Sequence, residues 1–444
     1  MRLVCSAISL ALFAAAVSAQ APPTGDVTVT ADYLPNRNRT TELRARVFAE
    51  QVIDPTPRLL FTVSGFAEGL LARRGLERPS RHTNVGAAIV RVQEASARYT
   101  RQRFEVLAGF TPVVWGRLDE VQPTDVVNPL DLSRFFFEGR SQARLPVAMI
   151  RGRAFLSEGT TLEGVYVPLF RRGRFDQLDE PTSPFNIETS FVPDPVACLA
   201  VGCPGVLPVT IERRGPPAAF RSAQGGARLT ATTGRLDWSV AAYRGFEPFG
   251  LGTFAPIAPQ AESVGVHIVH PRFTMIGGDF ETVRGPWGLR GEVAAFVDDN
   301  FQAGGLCPPQ CTPASLRVVR GSSIDGGRGL DRRAGDYRIS VGVLAHRESY
   351  DESIEPDGSR RSRSEASLVL SADRSFAAER YQLRTFGVYN ATESSAFLRG
   401  IGTARIRDNV ALEASIGWFA GDGGAVIGRF SDSDFGYVRV KYYF

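Results

Sequence analysis

Apolar and polar residues alternate with a period of two through most of this 444-residue chain, and polar, Gly- and Pro-containing connections separate the alternating runs. Few stretches place apolar residues at the 3.6-residue period of a buried helix, so the pattern predicts strands. The runs fall at 59–72, 84–97, 101–114, 146–157, 160–171, 219–232, 235–246 and 271–284. The second half supplies 287–299, 320–331, 335–348, 362–374, 379–391, 395–407, 410–421 and 433–444. The final run puts Val438, Val440, Tyr442 and Phe444 on one face, and Tyr437, Arg439 and Lys441 on the other. After residue 19 no segment offers the roughly 18 to 20 consecutive apolar residues of a spanning helix, whereas a tilted spanning strand needs only about 9 to 11.

These features predict an all-β fold, a single transmembrane antiparallel up-and-down β-barrel of about sixteen strands, within a range of about 14 to 18. In such a barrel tight turns at one end alternate with long loops at the other. Tight turns are expected at Tyr99-Thr100, Glu158-Gly159, Thr233-Gly234, Gly285-Pro286, Ala334-Gly335, Phe376-Ala377-Ala378 and Asp408-Asn409. Longer connections are expected at 115–145, 172–218, 247–270, 300–319, 349–361 and 422–432. The Gly-rich run 320–331 is weak by propensity and is included because the alternation of turns requires it.

The ends of the chain add an address. Arg2, the apolar stretch Leu3–Ala16 and Val17-Ser18-Ala19 have the three-part layout of a secretory leader, so 1–19 reads as a signal peptide. Residues 20–58 are then expected to be a periplasmic or lumenal segment, with the barrel over 59–444. Within that segment Asp26-Val27-Thr28-Val29-Thr30-Ala31 alternates like a TonB box, which would engage a periplasmic or inner-membrane partner by strand addition. Val440, Tyr442 and Phe444 resemble the terminal signature that the barrel insertion machinery reads. The expected location is the outer membrane of a Gram-negative-type cell, with outer-membrane lipids as the surrounding partner.

Charge refines the interior. A basic side chain facing lipid near the midplane costs about 2 to 4 kcal/mol, so the charged face of each strand is expected to line the lumen. This selects Arg91, Arg151, Arg153, Arg290, Glu292, Arg338, Glu413 and Arg439. Of 51 basic residues Lys441 is the single lysine, set against 47 acidic ones. An arginine-lined passage preferring anions is one reading, and structural pairing of arginines with carboxylates is the other. No stacked basic and aromatic surface suggests nucleic acid.

Four cysteines follow the leader, Cys198, Cys203, Cys307 and Cys311, all in predicted external loops. In an oxidising compartment the expected pairs are Cys198 with Cys203 and Cys307 with Cys311, a shared Cys₄ zinc site being the alternative. No catalytic residue, metal or cofactor is expected. His346 and Ser349 would point to opposite faces of one strand, which disfavours a nucleophile and its base.

Val114-Trp115-Gly116 followed by Asp125-Val126-Val127-Asn128-Pro129-Leu130-Asp131-Leu132 resembles a poorly characterised family of bacterial outer-membrane barrel proteins, with a Trp-Gly and an Asn-Pro-x-Asp-Leu loop. The likeness extends through Arg144-Leu145-Pro146, Leu162–Tyr166, Gly277–Phe280 and Glu292–Ala294. It implies an outer-membrane barrel with a part in moving hydrophobic or lipid-like compounds. Independently, Pro129 fixes the backbone, Asp125 and Asp131 can accept bonds from amides or arginines, and Phe135-Phe136-Phe137 needs an apolar site. The three rings either fold into the barrel mouth as an apolar constriction or rest in the interfacial belt, and on the first reading segment 117–145 folds inward and narrows the pore. Two function classes remain: a channel passing small solutes, and a partner-coupled transporter working through residues 20–58.

Overall fold

The computed structural model describes residues 22–36, 39–76, 81–119, 121–174, 183–185, 191–193, 206–254, 264–303, 316–355, 358–422 and 425–444. The described chain begins with β1 (Thr24–Leu34), β2 (Thr40–Thr56), β3 (Leu59–Leu76), β4 (Arg81–Arg101) and β5 (Phe104–Thr111). A long connection carrying two short helices, α1 (Phe135–Glu138) and α2 (Arg140–Ala143), leads to β6 (Val147–Ser157) and β7 (Thr160–Val167). Then come β8 (Phe191–Pro193), β9 (Val206–Arg214), β10 (Gln224–Thr233), β11 (Leu236–Phe246), β12 (Leu251–Phe254) and β13 (Val264–Val269). The last part runs β14 (Arg272–Arg284), β15 (Trp287–Ala303), β16 (Arg317–Ala334), β17 (Tyr337–Tyr350) and β18 (Ser362–Phe376). It closes with β19 (Tyr381–Asn390), β20 (Ser395–Arg407), β21 (Val410–Ala420) and β22 (Phe435–Tyr443).

Eighteen of these strands form one sheet in which each pairs antiparallel with its neighbours in sequence, β7 with β10 and β11 with β14 across the longer excursions. β22 returns to pair with β1, so the sheet closes and no edge is left open around its circumference. The ladder closes at the last residue: Gly25 N–H donates to the Phe444 carbonyl at 3.0 Å and Phe444 N–H to the Gly25 carbonyl at 3.1 Å. Glycine is needed there, because a Cβ at position 25 would stand 2.2 Å from the Phe48 carbonyl and 2.8 Å from the Phe444 ring. β8, β9, β12 and β13 form a separate small sheet from the connections at the opposite rim.

The barrel therefore has 18 strands, not about sixteen. The two additional strands are β1 and β2, both within the segment 20–58 expected to precede the barrel. Asp26–Ala31 is hydrogen-bonded on both sides, to β2 and to β22, so it is not a free strand that a partner could capture. The alternation of tight and long connections survives because removing two consecutive strands leaves parity unchanged. β16 covers the weak run 320–331 and extends past it at both ends. β5 is shorter than the predicted 101–114, since β4 continues to Arg101 and Pro112, lacking an N–H, follows the last ladder residue. Residues 1–19, expected to be a leader, and the four cysteines lie outside the described residues. Among the described residues no helix is long and apolar enough to cross a membrane.

The two faces of the sheet are chemically inverted relative to a soluble protein. Val438, Val440, Tyr442 and Phe444 project outward, about half exposed, while Tyr437 is buried inside. The same holds around the wall, with Val29, Leu43, Val63, Val90, Ile150, Val240, Ile276, Val341 and Leu398 outside. Inside are Glu42, Arg44, Glu68, Arg151, Glu163, Asp279, Arg290, Glu292 and Arg399. Outward aromatics gather at both ends of the strands. Tyr99, Phe104, Trp287, Tyr337, Phe376 and Tyr381 mark the near rim, where the tight turns lie, and Tyr33, Tyr166, Tyr389 and Trp418 the far rim.

Candidate functional site: a loop folded across the barrel interior

The connection from β5 to β6, residues 112–146, turns into the barrel and crosses it. Its root is fixed first. Asn128 accepts from Val113 N–H at 2.7 Å and donates to the Leu145 carbonyl at 2.8 Å, joining the beginning and end of the loop. Asp125 accepts from Trp115 N–H at 3.2 Å and from the Arg144 guanidinium at 2.9 Å, with Arg140 at 3.3 Å. The buried Trp115 donates its indole N–H to Glu163 on β7 at 2.7 Å. A buried acceptor shared by charged and backbone donors is costly to leave unmade, so these pairs specify the loop conformation.

One side of the loop is held by the wall of β14 and β15. Glu292 accepts from Thr124 N–H at 2.7 Å, Thr124 Oγ1 at 2.8 Å, Arg117 N–H at 2.9 Å and Leu118 N–H at 3.2 Å. Gly116 has φ +88°, and a Cβ there would lie 2.6 Å from the Glu292 carboxylate. Only glycine both adopts that backbone and admits the acid so close. Arg117 reaches Asp279 at 2.6 Å and Glu281 at 3.2 Å, and Arg290 reaches Asp119 at 2.7 Å.

The other side is held by β1 to β4 and by β20 to β22. Asp131 binds Arg91 and Arg174, each at 2.9 Å, and Arg134 binds Glu42 at 3.0 Å. Glu138 lies between Arg44 and Arg46. Burial alone would push the Glu138 carboxyl up, but the two guanidinium groups overrule it and hold it below the usual carboxylate range. Burial also pulls the Arg140 guanidinium down from its ordinary value. Arg399 on β20 donates to the Phe137 carbonyl at 2.8 Å.

The three consecutive phenylalanines occupy an aromatic cluster on this side. Phe136 meets Phe419, Phe397 and Phe185 edge to face, with centroids 4.8, 5.0 and 5.1 Å away. Phe137 packs on Phe435 at 4.6 Å and Tyr437 at 5.8 Å. Phe135 touches only Phe136 among them.

The eight charged residues assigned to the interior by alternation all face inward, and each has a partner. Arg151 lies 3.2 Å from Glu105 and Arg153 lies 2.6 Å from Glu163. Arg338 is 3.6 Å from Asp331, which also pairs with Arg290. Glu413 accepts from Tyr437 at 2.6 Å and pairs with Arg439 at 3.3 Å. His346 also faces inward, between Asp325 and Glu348, while Ser349 is exposed on the outer side. His267 meets Glu212 at 3.0 Å and His270 the Glu247 carbonyl at 2.7 Å. Among the described residues no group of His, Cys, Asp and Glu is arranged to hold a metal.

Space remains on both sides of the loop. A cavity of about 370 Å³ lies between it and the β1–β4 wall, lined by Arg44, Arg46, Phe66, Arg91, Glu138 and Lys441 among others. A smaller one of about 70 Å³ lies between Leu118 and the β15–β19 wall, with Arg290, Arg338 and Arg384. Arg44, Arg117, Arg134, Glu138 and Asp279 are interior anchors beyond those selected from the sequence. For Arg44 the signal was present in the alternation of Leu43-Arg44-Ala45-Arg46-Val47.

Residues 100–339 match the model of a family described as "Protein of unknown function (DUF1302)". The chain belongs to this family. The matched span covers the whole inward loop, including Trp115-Gly116 and Asn128-Pro129. No curated protein sequence matches. Among solved structures the DUF1302 chain is similar to Pseudomonas aeruginosa OccK5 (OpdH), at TM-score 0.49 and 8% identity, covering 95% of this chain and 97% of that one. It is also similar to a BenF-like porin from Pseudomonas fluorescens Pf-5, at TM-score 0.47 and 12% identity over 96% and 98%. Salmonella typhi OmpF, in complex with daunomycin, gives TM-score 0.45 and 9% identity over 95% and 97%.

Proposed function

We propose that this DUF1302 protein is an outer-membrane channel for small solutes, exported by the leader 1–19, in which the loop 112–146 is the constriction. The observation that carries the reading is the inversion of the closed sheet: apolar residues and two aromatic girdles outside, ion pairs inside. Lipid accepts such an outer face and water accepts such an interior, and the closed ladder leaves no backbone group to satisfy in hydrocarbon.

The loop divides the interior rather than filling it, and the cavities on its two sides are the candidate passages. Both are lined by acids as well as arginines, and the named lumenal arginines are paired. The favoured solutes are therefore small and polar, with little discrimination by charge, and no bond-making chemistry is assigned to the interior. Reconstitution tests this: liposomes containing the full-length protein should swell in an iso-osmotic small sugar, and liposomes that stay impermeable to sugars and ions alike would overturn the reading.

A further inference from the structure

On the outer face of the wall one residue breaks the pattern. Gly327 and Gly329 face inward, because a Cβ on either would approach Leu118, and Gly326 faces outward beside Val293. Arg328 therefore projects outward, paired in register with Gly291 on β15 and with the exposed Val343 on β17. It is exposed and has no hydrogen bond or ion pair among the described residues. The other outward charges on this side lie at the rims, Arg284, Arg332 and Arg374 at the near one and Arg244, Arg272, Asp298, Arg320 and Arg347 at the far one. Between the rims, among the described residues, Arg328 is the single charged side chain facing outward.

Its position is defined by the near girdle. Arg332, paired in register with Trp287, has its guanidinium 4.8 Å from that ring, and Arg374 on β18 lies 4.7 Å from the Tyr337 ring. Arg328 stands four residues further along β16, about 13 Å along the strand. A long arginine side chain can turn back toward the rim from there, its stem on apolar surface and its head seeking an anion. Gly291 beside it is buried beneath the Phe280 ring, and Gly326 adds no side chain next to Val293, so the surface around Arg328 is apolar.

We propose that Arg328 binds the phosphate of a phospholipid in the leaflet at the near rim. The inference rests on the membrane reading above. Charge complementarity selects the lipid over a second copy of this chain, since among the described residues the same outer face offers no carboxylate between its rims. The guanidinium fork suits a phosphate oxyanion pair, and Arg332 and Arg374 hold the neighbouring headgroup level positive.

Native mass spectrometry of the full-length protein, purified with phosphatidylglycerol present, provides the test. The wild type should retain lipid, and Arg328→Leu, which suits a lipid-facing wall, should retain about tenfold less, the factor of one charge-assisted bond. Arg328→Lys should lie between them, and all three should conduct alike in bilayers. Equal retention by wild type and Arg328→Leu would overturn the proposal, as would a loss of oligomers in the variant with lipid retention unchanged. Loss of conductance by the wild type itself would instead count against the membrane reading.

Discussion

The Trp115 indole N–H donates to the Glu163 carboxylate at 2.7 Å, joining the root of the inward loop to the barrel wall at β7. Trp115→Phe keeps a six-membered aromatic ring and removes the donor together with the indole's five-membered ring, while Glu163 keeps its ion pair with Arg153. A loss of about 1 to 3 kcal/mol in unfolding free energy is expected for a buried acceptor deprived of a partner. Denaturant unfolding of the two proteins in the same detergent reads it directly, and unaltered stability would show that this bond does not anchor the loop.

Glu292 gathers four donors from the loop, so its removal should act on the pore more than on the barrel. Glu292→Ala leaves three loop amides and a hydroxyl in search of acceptors and gives the loop other positions. Single-channel recordings are expected to show additional current levels absent from the wild type. A variant with the same single level would mean that the loop is held without this acid.

The aromatic anchor is expected to be the most stabilising contact of the loop. Phe137 is 1% exposed, and Phe137→Ala should cost about 3 to 5 kcal/mol, the usual range for truncating a buried phenylalanine. Phe135→Ala, at a ring that touches only Phe136 of the cluster, should cost much less. Thermal unfolding of the pair checks the order, and equal losses would contradict the packing described.

Two carboxyls outside the spanning strands give opposite pH behaviour. The Glu138 pKa is depressed, so its contribution is present above the unfolded value of about 4.3 and is lost only as pH falls through a still lower value. The clamp on the loop should therefore persist from neutral pH into the mildly acidic range. Glu247, in the connection after β11, is instead pushed up to about 7 by burial, with Asp299 adding to the rise. Its contribution is full below about 4.3 and is lost as pH rises through about 7. Glu247→Gln should flatten the fall in melting temperature between about pH 4.3 and 7, the window these values set. A wild type whose melting temperature rises across that window would contradict the assignment.

Much of this architecture was legible in the alternation of single strands. Arg290-Glu292 against Leu289-Val293, or Val438-Val440 against Arg439-Lys441, announces an inside and an outside without any partner strand. The strand count was less secure. Asp26–Ala31 alternates as well as any other run, but beside the flexible Pro22-Pro23 lead it reads equally as an exposed peptide, and omitting β1 and β2 together preserved parity. The inward turn of the loop was foreshadowed by Phe135-Phe136-Phe137, which needs an apolar site. Its anchors were not, because Glu138 meets Arg44 across 94 positions and Thr124 meets Glu292 across 168. Such pairs are set by the closure of the barrel and carry no local spacing signal.

On the proposed function, the loop folded across the barrel sets the width of the passage. Single-channel conductance in planar bilayers, compared between the full-length protein and a deletion of residues 121–137, tests it most directly. The deletion removes Asp125, Asn128, Asp131, Arg134 and the three phenylalanines together while leaving the strands in place. A clear rise in conductance, with a reversal potential near zero in a salt gradient, is the expected result. Unchanged conductance on deletion would contradict the account.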